Sequence, residues 1–396
     1  MIRTALVAAG SLLLAACGST PVNPPSPLPD HADRVTTETQ WKTRIGRGTE
    51  GDHLRLAPAA GDGAVFAASR DGMVRAVEAG TGLTRWERDL DARLTGGTGY
   101  GNGRVVVATG DGEVRALDAA TGERLWRGQV SAAVLSAPAV TESVIAVHSS
   151  DGKLFGLNAD DGSQRWVYDR TVPSLTLRGT SAPRIAGGYF VDGFGSGRIA
   201  AIDGRSGAVE WEATVATPSG RSELERMVDV DAPPVVANGT VYAAAYQGRT
   251  IAVDLDTGDT RWSREIPVHA GLAVAGGTVY VVDSEDRLWA LDARGGDTLW
   301  RRDDLAYRSL SAPAVKGDWL LVADYEGFLH LLDREEGHLV GRHDLHAEPP
   351  APAEPDGLSR KPVRSVLAAP VVVDGAVYIL DRAGRLQRLT LTPRGE

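Results

Sequence analysis

The chain has 396 residues and a formal net charge of -10, and this acidic balance provides no basic patch for phosphates, which argues against nucleic acid as a partner. Its single cysteine, Cys17, excludes an intrachain disulfide and any cysteine-based zinc or iron–sulfur site. With 47 glycines, 21 prolines and only 3 methionines, the composition favours short strands and tight turns over long helices.

Residues 1–16 have the pattern of a signal peptide. Arg3 precedes an apolar stretch, residues 5–16, that is too short to span a bilayer as a helix. The stretch ends in Leu14-Ala15-Ala16-Cys17-Gly18, which resembles the lipobox of bacterial lipoproteins. The resemblance implies that Cys17 is acylated and that the body lies outside the cytoplasm. Gly18 favours sorting to the outer membrane, although sorting to the inner membrane stays open. The alternative to a lipobox is an ordinary Ala-x-Ala cleavage site followed by an incidental cysteine.

A proline-rich segment follows the cysteine. From Gly18 to Val35 the sequence has no apolar periodicity, and its prolines predict a semi-extended tether between the membrane and the folded body. We therefore divide the chain into a signal peptide at residues 1–16, a lipidated tether at residues 17–35 and one folded domain at residues 36–396.

A repeat runs through the folded domain. One motif recurs at intervals of 38 to 51 residues. It consists of a small residue followed by a glycine, three further residues and a tryptophan. A period of about 40 residues is typical of a four-stranded propeller blade. A further copy has Gly341 where the tryptophan is expected, which predicts a weaker contact beside that blade. The complete copies end at Trp86, Trp126, Trp166, Trp211, Trp262 and Trp300.

The unit that ends at Trp166 shows the expected order of strands. Alternating apolar runs at residues 137–140, 144–147 and 153–157 precede the strand that carries Trp166. An Asp-Gly dipeptide, Asp151-Gly152, separates the second and third runs, and this dipeptide between apolar runs favours a hairpin turn.

The two ends of the chain supply one further blade. Trp41 lies in a strand pattern without a preceding turn, and residues 371–391 contain three strand patterns. Joining them completes a ring without exposed sheet edges. The prediction is an all-β fold, an eight-bladed β-propeller of four-stranded antiparallel blades that an N-terminal outer strand closes.

The segment from Ala116 to Trp126, and again from Ala252 to Trp262, resembles the tryptophan-docking motif of the quinoprotein-like propeller family. The resemblance implies that each indole packs between neighbouring blades. The dehydrogenases of that family hold pyrroloquinoline quinone and Ca²⁺ over the central channel. Their adjacent-cysteine disulfide is impossible here, the chain is short for such an enzyme, and its 8 histidines are scattered. We therefore predict no catalytic residue, no metal site and no cofactor.

Two connections between blades are unusually long. The segment from an outer strand to the next inner strand always lies on the same face of a propeller, so the spacing from the tryptophan to the next proline measures its length. The spacing is 12 residues after Trp126, but 17 residues after Trp166 and 22 residues after Trp211. These two long crossings are consecutive, and we therefore expect them to be neighbours on one face.

The first long crossing contains Leu175-Thr176-Leu177-Arg178-Gly179, and the second contains Asp229-Val230-Asp231. Both resemble the matching loops of the lipoprotein propellers of the outer-membrane β-barrel assembly machinery. The resemblance implies that Leu175, Leu177, Arg178, Asp229 and Asp231 contact the periplasmic domains of the central barrel subunit, BamA. The leucines would supply an apolar anchor and the charged groups would set the register. Alternatively, the leucines pack under their loop, Arg178 bridges to an aspartate, and the aspartates cap turns.

The resemblance implies a non-enzymatic scaffold that assists the assembly and insertion of outer-membrane proteins, with unfolded client proteins as further partners. The alternatives are a periplasmic propeller that binds a sugar or peptide and, more remotely, a pyrroloquinoline-quinone-dependent dehydrogenase. A ligand site needs an aromatic cluster at the channel mouth, and Tyr189, Phe190, Tyr246 and Tyr325 do not group in sequence. The proline-rich residues 348–355 predict a solvated insertion, with a further partner contact as the alternative.

Overall fold

Eight four-stranded antiparallel sheets form a closed ring. The computed structural model describes residues 23–170, 173, 175–177, 179–346 and 365–394. Within these ranges the regular structure consists of 32 β-strands and no helix, and each sheet is one blade. The predicted fold, an all-β eight-bladed propeller, is therefore confirmed.

The first strand in chain order is the outermost strand of blade 8, and seven complete blades follow it in succession. That first strand is β1 (Val35–Arg44). The strands of blades 1 to 4 are β2 (Ala59–Gly61), β3 (Ala64–Ala68), β4 (Met73–Glu78), β5 (Thr84–Asp89), β6 (Gly99–Gly101), β7 (Arg104–Ala108), β8 (Glu113–Asp118), β9 (Arg124–Gln129), β10 (Ala139–Val140), β11 (Val144–His148), β12 (Leu154–Asn158), β13 (Gln164–Tyr168), β14 (Arg184–Ala186), β15 (Tyr189–Phe194), β16 (Arg198–Asp203) and β17 (Val209–Thr214).

Blades 5 to 8 repeat the same order, with the innermost strand first. Their strands are β18 (Val235–Ala237), β19 (Thr240–Ala244), β20 (Thr250–Asp254), β21 (Thr260–Arg264), β22 (Val268–Ala275), β23 (Thr278–Asp283), β24 (Leu288–Asp292), β25 (Thr298–Arg302), β26 (Ala314–Lys316), β27 (Trp319–Ala323), β28 (Phe328–Asp333), β29 (Leu339–Asp344), β30 (Val371–Val373), β31 (Ala376–Leu380) and β32 (Arg385–Pro393).

The two ends of the chain close the ring. Strand β1 pairs antiparallel with β32, from Val35 opposite Pro393 to Arg44 opposite Arg385, with a register shift between Thr39 and Trp41. Blade 8 therefore takes three strands from the C-terminal part of the chain and its fourth from the N-terminal part. The predicted closure by an N-terminal outer strand is confirmed.

The core lies between the blades because the middle strands are buried on both faces. Every residue of β11 is buried, whereas β9 at the rim buries only Trp126 and exposes or half-exposes its other residues. One apolar cluster joins Val191 and Ile199 of blade 4 to Val241 and Ile251 of blade 5. Alternation at the rim and continuous apolar runs in the middle strands follow from these two environments.

The tryptophans dock neighbouring blades, as the family resemblance implies. The indole of Trp86 packs on the turn at Gly122 in blade 2 and donates its N–H to the carbonyl of Ala119 at 2.8 Å. Gly122 has a φ of +71°, and a Cβ built on it would lie 2.6 Å from that indole, so only glycine fits here. The same hydrogen bond joins Trp41 to Ala79, Trp126 to Ala159, Trp166 to Gly204, Trp211 to Leu255, Trp262 to Ala293 and Trp300 to Arg334.

The joint between blades 7 and 8 is made in a different way. The strands β32 and β1 come from opposite ends of the chain, so no glycine turn links them and a tryptophan at position 341 would have no turn to receive it. The incoming chain lies there instead: a Cβ on Gly341 would be 3.1 Å from the carbonyl oxygen of Val35. Val35 is buried beside Leu331 and Val340. The joint predicted to be weak is thus filled by the backbone that closes the ring.

The described part of the predicted tether lies along blades 6 and 7. The N–H of Ser26 donates to the carbonyl of Ala306 at 3.0 Å, and Arg308 donates to the carbonyl of Ser26 at 2.9 Å. The N–H groups of Ala32 and Arg34 donate to carbonyls of β29 at 3.1 and 2.9 Å. Cys17 and the predicted signal peptide lie outside the described residues, and so does the proline-rich segment at residues 348–355.

Candidate functional site

The two long crossings lie side by side on one face of the ring. The first connects β13 to β14 across residues 169–183, and the second connects β17 to β18 across residues 215–234. On the first crossing, Leu175 is 42% exposed and Leu177 is half-buried. Arg178 lies outside the described residues.

The second crossing presents a leucine that the sequence did not single out. The carboxylate of Glu225 accepts the N–H groups of Arg221 and Ser222 at 2.6 and 3.2 Å, and the hydroxyl of Ser222 accepts the N–H of Glu225 at 3.2 Å. This reciprocal capping holds a single turn that leaves Leu224 61% exposed. The Ser-x-x-Glu spacing was the available signal for it. We call Leu175, Leu177, Leu224, Asp229 and Asp231 the crossing surface.

Two buried carboxylates join the crossings. Asp229 and Asp231 are only 1% and 9% exposed. The Oδ1 atom of Asp229 accepts the backbone N–H of Leu177 at 3.1 Å. A Cβ on Gly179 would lie 2.7 Å from the carboxylate of Asp231, so the first crossing rests directly on that side chain. The two crossings therefore form one continuous surface.

Burial dominates the electrostatics of this joint. It raises the pKa of Asp229 to about 6, although the Leu177 N–H opposes the shift. Burial, and then the neighbouring charge of Asp229, raise the pKa of Asp231 to about 7. These buried positions fit the alternative in which the aspartates have a structural role and hold the loops. Contact of the aspartates with a partner stays a prediction.

A buried ion pair that no sequence pattern indicates lies beneath the point where the two crossings meet. The Nδ1 atom of His148, at the end of β11, is 2.8 Å from the Oδ2 atom of Asp192 in β15. In the sequence His148 is one of 8 scattered histidines. The available signal was Asp192 itself, because a carboxylate within the apolar second strand of a blade is unusual.

The central channel has few features of a small-molecule site. Its volume is about 520 Å³, and prolines, alanines and glycines of the innermost strands supply much of its lining. Arg55, in the crossing that leads into blade 1, donates to the carbonyl of His269 in blade 6 at 2.9 Å. Tyr100 is the one aromatic residue among the described lining residues. The aromatic cluster that a sugar-binding or peptide-binding propeller would need is not formed by the described residues of this channel.

In the described ranges, no group of three or more His, Cys, Asp and Glu side chains is arranged to hold a metal ion. No helix in the same ranges has both the length and the apolar character needed to cross a membrane.

Fold and site together define a closed β-propeller with one elaborated face. A family model described as "Outer membrane protein assembly factor BamB" matches residues 70–302 and 290–394. The protein of that name from Alkalilimnicola ehrlichii is 48% identical over 98% of this chain and 97% of its own length. Its counterpart from Pseudomonas aeruginosa is 42% identical over 93% of each chain. The chain therefore belongs to the BamB family of outer membrane protein assembly factors.

Solved structures show the same fold. The crystal structure of BamB from Moraxella catarrhalis has a TM-score of 0.80 and 24% identity, and the match covers 90% of this chain and 100% of that one. A quinohemoprotein alcohol dehydrogenase from Comamonas testosteroni has a TM-score of 0.68 and 13% identity, covering 91% of this chain and 77% of that one. At these identities the likeness is one of fold alone. The family is one of assembly factors, which confirms the prediction of a non-enzymatic protein.

Proposed function

We propose that this protein is a lipid-anchored scaffold on the periplasmic side of the outer membrane that binds the periplasmic domains of BamA through the crossing surface. The observation that carries the proposal is a pair of exposed leucines, Leu175 and Leu224, on two crossings joined by buried carboxylates. Relatives of this chain are named outer membrane protein assembly factors, which supports a role in the assembly and insertion of outer-membrane proteins.

The exposed leucines supply the apolar anchor of the proposed contact. Full burial of a leucine side chain yields about 1.5–3 kcal/mol, and a few such anchors dominate a typical interface. Leu177 is half-buried, and Asp229 holds its backbone N–H, so it is proposed to add to the anchor at a fixed position. Arg178 follows directly in the sequence and is proposed to donate charged hydrogen bonds to a carboxylate of the partner.

The aspartates are proposed to act mainly by holding the crossings in register. A direct bond from Asp229 or Asp231 to the partner requires local movement, since both carboxylates are buried. Unfolded outer-membrane proteins are the proposed further partners.

Cys17 is proposed to carry the lipid, after removal of residues 1–16. Ser26 is already hydrogen-bonded to Ala306 and Arg308 in the crossing between blades 6 and 7, and a fully extended chain from Cys17 to Ser26 spans about 30 Å at most. The anchor therefore keeps the propeller close to the membrane. The Cys17→Ala variant is expected in the soluble periplasmic fraction, and unchanged partitioning with membranes would contradict the anchor.

Co-purification with the assembly machinery in mild detergent tests the proposed contact. Arg178→Ala and Leu224→Asp are expected to lose BamA while keeping the circular dichroism of the wild type. Leu299→Asp is the matched control, because Leu299 is 56% exposed on the rim strand β25, away from the crossings. Retention of BamA by both crossing variants would overturn the proposal.

A further inference from the structure

We propose that His148 and Asp192 are positioning residues of the crossing surface, and this inference rests on the proposed function above. Their ion pair joins β11 of blade 3 to β15 of blade 4 under the point where the two crossings meet. The pair would fix the floor of the crossing surface, by which we mean the end of β15 that supports the two crossings and their exposed leucines. It would act through the backbone, without touching the partner.

The strand end that follows Asp192 is in direct contact with both crossings. A Cβ on Gly193 would lie 2.4 Å from the carbonyl oxygen of Val230 in the second crossing. A Cβ on Gly195 would lie 3.1 Å from the side chain of Thr176 in the first crossing. Because the strand end and the crossings are in van der Waals contact without free space between them, a shift of the strand end displaces the crossings.

The ion pair is well placed to fix that strand end. The side chains of His148 and Asp192 are 3% and 0% exposed, and the imidazole ring lies 5.2 Å from the ring of Phe194. Removing one partner leaves the other charge buried without its counter-ion, which is costly in a low-dielectric interior. The arrangement therefore resists any motion that separates the two blades at this point.

The surrounding charges make the floor sensitive to pH. Burial disfavours the imidazolium, but the negative charge of Asp192, with smaller contributions from Asp231 and Asp151, more than offsets it, so the pKa of His148 lies above its ordinary value of 6.5. The stabilising effect of the pair is complete below pH 6.5 and is lost as the pH rises through the raised pKa of His148. The titratable and charged groups that face the pair are Asp151, Asp229, Asp231, Arg55, Arg184 and Tyr168.

The aspartates act in the same direction. Because the pKa of Asp231 is raised to about 7, the folded joint retains a proton there that a hydrated carboxyl would release. Above that pH the cluster gains negative charge while His148 loses its positive charge. We therefore expect the crossings to be held most tightly at acid pH and to loosen as the pH rises.

The molecule contains a matched control for the pair. His346 and Asp381 form a second buried ion pair, with Nε2 and Oδ2 2.9 Å apart and side chains 5% and 0% exposed. This pair lies in blade 8 and the crossing before it, and neither residue contributes to the crossing surface. Its loss should perturb stability in a similar way without moving Leu175 or Leu224.

The test compares His148→Gln with His346→Gln in the full chain. Hydrogen exchange of the free protein is expected to be faster at residues 175–180 and 228–231 in His148→Gln only. The dissociation constant for the purified periplasmic domains of BamA is expected to rise about tenfold in His148→Gln at pH 6.5 and to stay near the wild-type value in His346→Gln. The wild type and His346→Gln should both lose affinity from pH 6 to 9, and this loss should be smaller in His148→Gln.

The outcomes separate the two proposals. If wild-type protein does not bind these domains, the proposed function fails, and exchange of the crossings in the free protein still decides the positioning role. Equal exchange and equal affinity in the two histidine variants would overturn the inference and leave the proposed function standing. Since the partner's own titration is common to all variants, the difference between their pH profiles reports the His148 pair alone.

Discussion

The docked tryptophans at the rim and the aspartates under the crossings both bury a polar group, but the two kinds of polar group have different surroundings. Each docked indole donates its N–H to a carbonyl of the next blade and covers a glycine turn, as Trp126 does at Ala159. Asp229 has a buried Oδ2 atom without a hydrogen-bond partner among the described residues, and burial raises its pKa. Nearby, Leu224 is exposed. The rim is built for stability, whereas the crossing surface gives up stability where the proposed function requires it.

Removing a docked indole should produce the largest effect. Trp126→Ala deletes a buried ring and its hydrogen bond to Ala159, so we expect a loss of about 3–5 kcal/mol in the free energy of unfolding. Leu125→Ala is the control, because the neighbouring Leu125 is 48% exposed and its loss should be nearly neutral. Urea unfolding of both variants measures the difference, and equal stabilities would show that the docked indole does not stabilise the rim.

The joint between blades 7 and 8 allows a second test of the rim. If this joint merely lacked its tryptophan, Gly341→Trp would stabilise the ring. Because the carbonyl of Val35 occupies the space, we expect this substitution to cost about 1–3 kcal/mol and to expose β1 to proteolysis. Gly341→Ala should have a smaller effect in the same direction. A stabilised Gly341→Trp variant would show that the closing strand does not replace the indole.

The sequence predicted the ring well because its signals are local and repeated. Gly122 and Trp126 lie within one turn and one strand, and their spacing recurs in the other units. The unequal lengths of the crossings were also visible in the tryptophan-to-proline spacing. The ion pair was not, because 44 positions and a blade boundary separate His148 from Asp192. The burial of Asp229 likewise depends on packing against a neighbouring crossing, which no local pattern encodes.

A substitution where the two crossings meet should stabilise the protein, in contrast to the substitutions at the rim. Since the pKa of Asp231 is raised to about 7, its ionisation opposes folding, and the cost grows as the pH rises from about 4 to about 7. Asp231→Asn is therefore expected to raise the unfolding free energy by about 1–2 kcal/mol at pH 8 and to leave it unchanged at pH 4. Thermal unfolding at the two pH values checks this.

Asp256→Asn is the control for that measurement, because Asp256 is exposed in a turn of blade 5 and should give no difference between the two pH values. Destabilisation by Asp231→Asn at pH 8 would mean that the carboxylate is held by favourable partners, and the contrast with the rim would then be wrong.

The proposed contact between the crossing surface and the periplasmic domains of BamA is tested most directly by the dissociation constant of these domains for the purified protein. The double variant Leu175→Asp with Leu224→Asp places two charges where the apolar anchor is proposed. We predict binding at least about tenfold weaker than wild type, with Leu299→Asp unchanged. Equal affinity of the double variant and the wild type would overturn the proposed contact.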